Sequence, residues 1–169
     1  MTAEPKRTLV AGVGNVLCGD DGFGVAVARQ LLADGGLPPG VDLIETGIGG
    51  MSIVQELMAG YDALIIADAV DCGLAPGAVF VLDPEVPDPA TMAVGEWQAH
   101  FSNLHLAEPS RIFMLARAVG VLPSTVWLVG CQPRDCDEIV ETLSPPVRAA
   151  VAIAAEKVRA LARSLACAG

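Results

Sequence analysis

Charged side chains are scarce in this chain, and acidic ones outnumber basic ones. Only 18% of the 169 residues are Asp, Glu, Lys or Arg, while 53% are hydrophobic. Sheets with one face in water rarely have so apolar a composition, so we expect a sheet that is covered on both faces. The 10 basic and 20 acidic residues give a formal net charge of -10. This balance argues against nucleic acid or an anionic membrane as a partner, since binding either draws on basic patches.

The sequence also lacks a long uninterrupted apolar run. Its mean hydropathy is high, at +0.52, but no segment approaches the roughly 18–20 apolar residues that a membrane-spanning helix needs. Lys6 and Arg7 precede an apolar segment, as in a signal peptide, but that segment contains Asn15 and no Ala-x-Ala cleavage site follows it. The sequence therefore predicts a cytoplasmic protein that does not insert into a membrane.

No two cysteines have the Cys-x-x-Cys spacing. The five cysteines are an odd set, namely Cys18, Cys72, Cys131, Cys136 and Cys167. Their number and spacing argue against a disulfide framework and against a zinc knuckle. We expect most of them to be buried thiols, because unpaired cysteine is among the most frequently buried residue types.

Short apolar runs alternate with helical periodicities along the chain. We predict strands at Thr8–Val13, Val41–Thr46, Ala63–Ala67, Ala78–Leu82 and Thr125–Cys131. We predict helices at Gly22–Ala33, Met51–Ala59 and Pro109–Val119, a helical turn within Cys136–Leu143, and a last helix that Ser144 caps and Pro145-Pro146 open. The connection between the third and fourth strands is too short for a parallel crossover, so we expect the fourth strand to be antiparallel.

This alternation predicts one α/β domain that covers residues 1–169. We expect a three-layer α/β/α arrangement, with a five-stranded, mostly parallel, twisted sheet and helices on both faces.

The turn after the first strand carries two adjacent carboxylates, Asp20 and Asp21, between two glycines. Carboxylates are favoured at a helix N-terminus as caps and by the helix dipole. We therefore expect one of the pair to cap the next helix and the other to have a second role. Asp68 follows the third predicted strand. Because ligands collect at the carboxyl ends of parallel strands, we expect Asp21 and Asp68 at the same edge of the sheet.

A nucleotide-binding loop is the obvious alternative reading of Gly12-Val13-Gly14. The dinucleotide fingerprint needs a third glycine where this chain has Leu17, and its acidic residue would have to be Glu45, which lies too far along the chain. Phosphates would also be repelled by Asp20 and Asp21. The sequence contains no P-loop, no Gly-x-Ser-x-Gly nucleophile elbow and no His-Glu-x-x-His zinc motif.

The chain has only two histidines, His100 and His105, and both precede the helix predicted from Pro109. The direction of that helix would return either histidine toward the sheet and its two carboxylates. Two carboxylates and one imidazole suit a borderline divalent ion such as nickel, zinc or iron, with coordination positions left open.

Taken together, these motifs resemble those of the nickel–iron hydrogenase maturation endopeptidases. Residues 12–22 match the opening Gly-x-Gly-Asn-x-Leu and the later Asp-Asp/Glu-Gly of that family. Further matches, spread over nearly the whole chain, are Glu45-Thr46-Gly47, Gly50-Met51, Ile65–Ala69, Pro76-Gly77, Leu128-Val129-Gly130, Pro133 and Leu143-Ser144-Pro145. The resemblance implies an endopeptidase that removes the C-terminal extension of a [NiFe]-hydrogenase large-subunit precursor after nickel insertion.

The resemblance also implies roles for individual residues. The metal-contacting acids of the family fall on Asp21 and Asp68, which are then also the catalytic candidates, and its histidine falls on His105 rather than His100. Asp20 is left as a structural partner. The nickel belongs to the substrate, although other divalent ions can occupy such a site. Water activated by a carboxylate and water or carbonyl polarised by the metal are both open as mechanisms, so an aspartic and a metal-dependent protease remain alternatives.

Two other functions remain open at this point. A non-catalytic nickel-binding maturation chaperone could use the same three residues, and it would bind nickel without removing any segment from the precursor. A nucleotide-binding module would be stabilised by a dinucleotide and not by a divalent metal.

Overall fold

The computed structural model describes residues 6–47, 50–96, 98, 108–137 and 139–168. The strands are β1 (Thr8–Val13), β2 (Val41–Thr46), β3 (Ala63–Ala69), β4 (Val79–Leu82) and β5 (Thr125–Cys131). Helices α1 to α4 cover Phe23–Asp34, Met51–Leu57, Glu108–Ala118 and Pro145–Cys167, and short 3-10 turns cover Gly19–Gly22 and Pro89–Thr91.

The strands form a five-stranded sheet with the order β2-β1-β3-β5-β4. β1 pairs in parallel with β2 and β3, and β3 pairs in parallel with β5. β4 is antiparallel to β5, with Val81 opposite Val129. The predicted mostly parallel sheet is confirmed, and so is the antiparallel fourth strand, which is the outermost strand of the sheet, next to β5.

Alternate side chains of the strands supply two hydrophobic cores, one on each face of the sheet. Val10 and Ile65 pack with α1 and α4 on one face. Leu9 and Leu64 pack with α2 and α3 on the other face. Because successive strand residues point to opposite faces, a continuous apolar run such as Ala63–Ala67 contributes to both cores. The predicted three-layer arrangement is therefore confirmed.

Helix α4 shows the predicted amphipathic pattern over its 23 residues. Val147, Val151 and Val158 are buried against the sheet, whereas Glu156 and Lys157 are exposed. Charged residues on the outer face are expected where only one side of a helix meets the core. No helix in the described part of the chain is both long and apolar enough to cross a membrane.

The bounds of α1, α2, α3 and β4 differ from the predictions by one or two residues. Two other differences arise from pairing between distant segments. β3 continues two residues beyond Ala67, since Asp68 and Ala69 extend the ladder opposite Gly130 and Cys131 of β5. Asp68 is therefore the penultimate residue of β3 and not the residue after it. The described part of residues 136–143 forms bends and a bridge to Cys18 through Val140, not a helical turn.

The five cysteines are all free thiols, as predicted. The expectation that most are buried is wrong: only Cys131 is buried, Cys18 and Cys136 are half-buried, and Cys72 and Cys167 are exposed. The two exposed thiols lie in the loop after β3 and at the end of α4.

Candidate functional site

The turn that carries the paired aspartates packs directly on the ends of β1 and β3. A Cβ atom on Gly24, in the first turn of α1, would lie 2.0 Å from the carbonyl oxygen of Ala67 in β3. Gly14 has a φ of +143°, and a Cβ atom there would lie 1.8 Å from the carbonyl oxygen of Asp21. Both positions therefore need glycine, for space in one case and for space and backbone angle in the other.

Asp21 and Asp68 lie at the same edge of the sheet, as the sequence predicts. Gly12 of β1 pairs with Ala67, the residue before Asp68, so the two parallel strands end side by side. Asp68 is 3% exposed, whereas Asp21 is half-buried. The backbone N–H of Asn15 donates to Oδ2 of Asp21 at 3.0 Å and fixes one side of that carboxylate.

The thiol of Cys136 lies in the electric field of these carboxylates. Burial is the largest cause, and together with the negative charges of Asp21, Asp20, Asp68 and Asp135 it raises the pKa of Cys136 to about 12. A negative charge near a thiol favours its protonated form, so the aspartates of both strand ends act on Cys136 in the same direction. The thiol stays protonated at neutral pH and is a poor nucleophile. The sequence did not predict that Cys136 lies near the site, because a cysteine outside any disulfide or metal-binding motif has no characteristic spacing.

Asp20 is a buried anion that connects the turn to the segment after β5. Its side chain is almost fully enclosed, with the residue 1% exposed. Oδ1 accepts the backbone N–H of Ser144 at 2.6 Å, and Oδ2 accepts the Ser144 hydroxyl and the backbone N–H of Arg134, both at 2.8 Å. The backbone N–H of Asp135 is a longer donor at 3.4 Å. Burial raises the pKa of Asp20, but these hydrogen bonds outweigh it and the pKa lies below its ordinary value.

The expectation that one aspartate caps α1 is wrong. The N-cap residue of α1 is Gly22, and among the described residues no side chain caps the helix. Both aspartates belong to the 3-10 turn that precedes it. Ser144 does occupy the N-cap position of α4, but its hydroxyl donates to Asp20 and accepts no backbone N–H of the helix. Serine and aspartate each fit a local capping pattern, and their bond to each other overrides it.

A second polar side chain from the same segment holds the loop after β3. Oε1 of Gln132 accepts the backbone N–H groups of Cys72 at 2.8 Å and Leu74 at 3.1 Å. Nε2 of Gln132 donates to the carboxylate of Asp71 at 3.0 Å. The segment 132–144 is thus bonded to the loop after β3 through Gln132 and to the turn of Asp21 through Asp20.

Both histidines, His100 and His105, lie outside the described residues. The choice of His105 therefore stays a prediction. Within the described ranges, no group of three or more His, Cys, Asp or Glu side chains is arranged to hold a metal ion. Asp21 and Asp68 are two of the three predicted ligands, so the predicted set depends on His105 for completion.

The close contact at Gly24 can be tested by adding a methyl group. Gly24→Ala should lower the free energy of unfolding by about 3 kcal/mol, at the upper end of the usual cost of overpacking. The new Cβ would lie 2.0 Å from the carbonyl oxygen of Ala67 and 2.3 Å from that of Val13. Gly95→Ala is the control, because no described atom lies within 4 Å of its added Cβ. Urea denaturation should separate the two variants, and equal stabilities would contradict the packing described here.

Comparison with known proteins identifies the family. The family model described as hydrogenase maturation protease (HycI) matches residues 25–161. The chain belongs to the hydrogenase maturation protease family. It is 36% identical over 160 residues to the hydrogenase expression/formation protein HupD of Rhodobacter capsulatus, with 94% of this chain and 72% of HupD covered. It is also 36% identical over 159 residues to the hydrogenase 2 maturation protease of Escherichia coli strain K12, with 93% and 91% covered.

Solved structures give the same assignment for this maturation protease. The hydrogenase maturating endopeptidase HybD from Escherichia coli superposes with a TM-score of 0.72 at 33% identity, covering 94% of this chain and 93% of HybD. A hydrogenase 2 maturation peptidase from a Thaumarchaeota archaeon superposes with a TM-score of 0.63 at 35% identity, covering 90% and 95%. The three-layer fold and the resemblance read from the motifs are both confirmed, and the protein is an endopeptidase.

Proposed function

We propose that this maturation protease removes the C-terminal extension of a [NiFe]-hydrogenase large-subunit precursor and recognises the nickel that the precursor already carries. The observation that carries the proposal is the placement of Asp21 and Asp68 at one sheet edge, in a chain that belongs to a family of hydrogenase maturation proteases. The nickel ion is part of the substrate in this scheme and not a resident cofactor.

The chemistry of the donor set supports a role in metal recognition. Carboxylate oxygen and imidazole nitrogen are both donors that nickel accepts. Asp21, Asp68 and His105 together offer three donors, which leaves room for the ligands that the precursor itself supplies. A site that needs the ligands of the substrate to complete its coordination would favour loaded over empty precursor.

The same two carboxylates are our candidates for the cleavage step. A carboxylate that reaches a water molecule beside the scissile bond can act as general base, and the bound metal can polarise the carbonyl group. Asp20 does not suit this role, because both of its oxygens already accept hydrogen bonds from Ser144 and Arg134. The catalytic carboxylates in this proposal are Asp21 and Asp68, at the carboxyl ends of the parallel strands. A non-catalytic nickel chaperone, the alternative function, fits poorly with membership in a family of endopeptidases.

Incubation with matched precursors tests the proposal. The protease should shorten nickel-loaded precursor and leave nickel-free precursor intact, because only the loaded form supplies the ion that Asp21 and Asp68 bind. Intact-mass spectrometry detects the loss of the C-terminal segment directly. Equal cleavage of both forms would refute nickel recognition, and tight nickel binding by the isolated protein without any cleavage would favour the chaperone.

A further inference from the structure

Exposed apolar side chains gather on the loops around the candidate site. Several large hydrophobic residues that remain exposed follow the carboxyl ends of the parallel strands: Val16 and Leu17 after β1, Met51 after β2, Leu74 after β3, and Ile139 and Val140 after β5. The carboxyl ends of these four strands share one sheet edge, which is also the edge of Asp21 and Asp68.

Two of these loops are hydrogen-bonded to each other and carry exposed apolar side chains. Cys18 and Val140 make a parallel β-bridge, and the N–H of Gly19 donates to the carbonyl oxygen of Val140 at 2.7 Å. Leu17 precedes Cys18 and Ile139 precedes Val140, so the parallel bridge places Leu17 and Ile139 opposite each other. They are 51% and 90% exposed. We call this surface the apolar shelf and define it by Val16, Leu17, Ile139 and Val140.

The part of the apolar shelf that follows β1 adjoins both a cleft and the candidate site. Its two residues from the loop after β1 line a cleft of about 350 Å³ together with Val25. Arg29 and Glu45 also line the cleft but pair with each other at 2.8 Å, so each charge has a partner. Asn15 adjoins the shelf and donates its backbone N–H to Asp21. The shelf therefore begins at the residue next to the one that holds Asp21.

We propose that the apolar shelf is the docking surface for the protein substrate and binds an apolar segment of that polypeptide next to the bond that is cleaved. The occupant is a polypeptide because this chain is an endopeptidase and the shelf adjoins Asp21; the inference rests on the proposed function. Single exposed apolar side chains are common on proteins. Four of them on two hydrogen-bonded loops, in a chain of net charge -10, form the kind of patch that marks a protein contact.

Charged substitutions in the shelf test this inference. Leu17→Asp and Ile139→Asp should each raise the KM for folded, nickel-loaded precursor by about tenfold or more, which corresponds to the loss of one buried apolar side chain, while kcat stays unchanged. Leu17→Asn, which adds no charge, should raise KM in the same direction by a smaller factor. Leu32→Asp on α1 and Ile153→Asp on α4 are matched controls, since these side chains are 76% and 53% exposed but lie outside the shelf. Their KM should equal that of the wild type.

Each other outcome overturns the inference. An unchanged KM in the shelf variants would refute the inference. A rise in KM in the control variants equal to that in the shelf variants would also refute it, because the effect would then come from the added negative charge alone. Light scattering that shows a wild-type dimer dissociating in the shelf variants, with KM unchanged, would assign the shelf to a second copy of the chain. If the wild type does not cleave loaded precursor, the proposed function fails separately. Calorimetry of precursor binding then tests the shelf, and equal affinities for wild type and shelf variants would refute it.

Discussion

Cleavage of nickel-loaded precursor should fall by on the order of 10²–10⁴-fold when Asp68 is replaced by asparagine, and Asp21→Asn should cause a loss of the same order. Asparagine keeps the size of the side chain but removes its negative charge and its ability to accept a proton. Both properties are needed if the carboxylates bind the metal of the substrate and activate water. Initial rates from mass spectrometry, with thermal unfolding as a check on folding, measure the effect.

The controls for this prediction separate the site from general stability. Asp42→Asn also removes a hydrogen-bonded carboxylate, one that accepts bonds from Tyr61 and Arg7. Asp42 is near the start of β2 and therefore at the opposite edge of the sheet, so this variant should cleave loaded precursor at the wild-type rate. His105→Gln should lose cleavage as the aspartate variants do, and His100→Gln should keep it. A folded Asp68→Asn variant with wild-type activity would refute the assignment.

Much of the fold could be predicted because most of its strands and helices have a recognisable pattern in their own sequence. β1, β2 and β5 have the predicted bounds. β1 and β5 are short runs rich in apolar or β-branched residues, and β2 follows the Pro38-Pro39-Gly40 turn and ends before Gly47. The end of β3 could not be predicted in this way. Asp68 reads as the polar residue that stops a strand, yet its pairing opposite Gly130 of β5 keeps it inside the ladder. Pairing with a strand far along the chain decided that boundary.

The candidate site shows the same division between local and distant effects. Asp21 and Asp68 could be placed together from chain order and parallel pairing alone. The structural role of Asp20 was expected from the resemblance and agrees with its hydrogen bonds, but its partners could not be predicted. The roles of Gln132 and Ser144 could not be predicted either, because the bonds of Gln132 to Leu74 and of Ser144 to Asp20 join residues 58 and 124 positions apart. Sequence patterns report neighbours along one helix or strand. Buried polar residues that connect two loops leave no such pattern, although they hold the site in place.

Loss of the Asp20 carboxylate should destabilise the protein strongly. Asp20→Ala leaves the N–H groups of Ser144 and Arg134, and the Ser144 hydroxyl, without their buried acceptor. A buried group left without a partner costs about 1–3 kcal/mol, so we expect the free energy of unfolding to fall by about 3 kcal/mol or more. The measurement is urea denaturation at neutral pH, and a loss well below 1 kcal/mol would contradict the role of Asp20.

The pH dependence of stability is an independent test of whether the Asp20 carboxylate stabilises the fold as an anion. Hydrogen bonds hold the pKa of folded Asp20 below its ordinary value of 3.8. Its contribution is therefore fully present above the unfolded pKa and is lost as the pH falls through the lower, folded pKa. The stability of the wild type should decrease more steeply than that of Asp20→Asn as the pH drops below about 5. Parallel acid profiles would show that Asp20 contributes nothing as an anion.

Asp20→Asn should also release Asp21, which sits beside Asp20 in the same turn. The N–H of Asn15 donates to Oδ2 of Asp21 at 3.0 Å, so its rate of amide hydrogen exchange reports whether Asp21 keeps its position. We expect faster exchange at Asn15 in Asp20→Asn and unchanged exchange in Asp34→Asn, which loses a carboxylate bonded to Gln30 and Arg159 at the far end of α1. If the Asn15 amide exchanges at the wild-type rate in the Asp20 variant, Asp20 stabilises the fold but does not position Asp21. Faster exchange together with slower cleavage would mean that Asp20 positions Asp21 for the substrate. Asp20 would then act by tying the turn to the segment after β5, without touching the substrate itself.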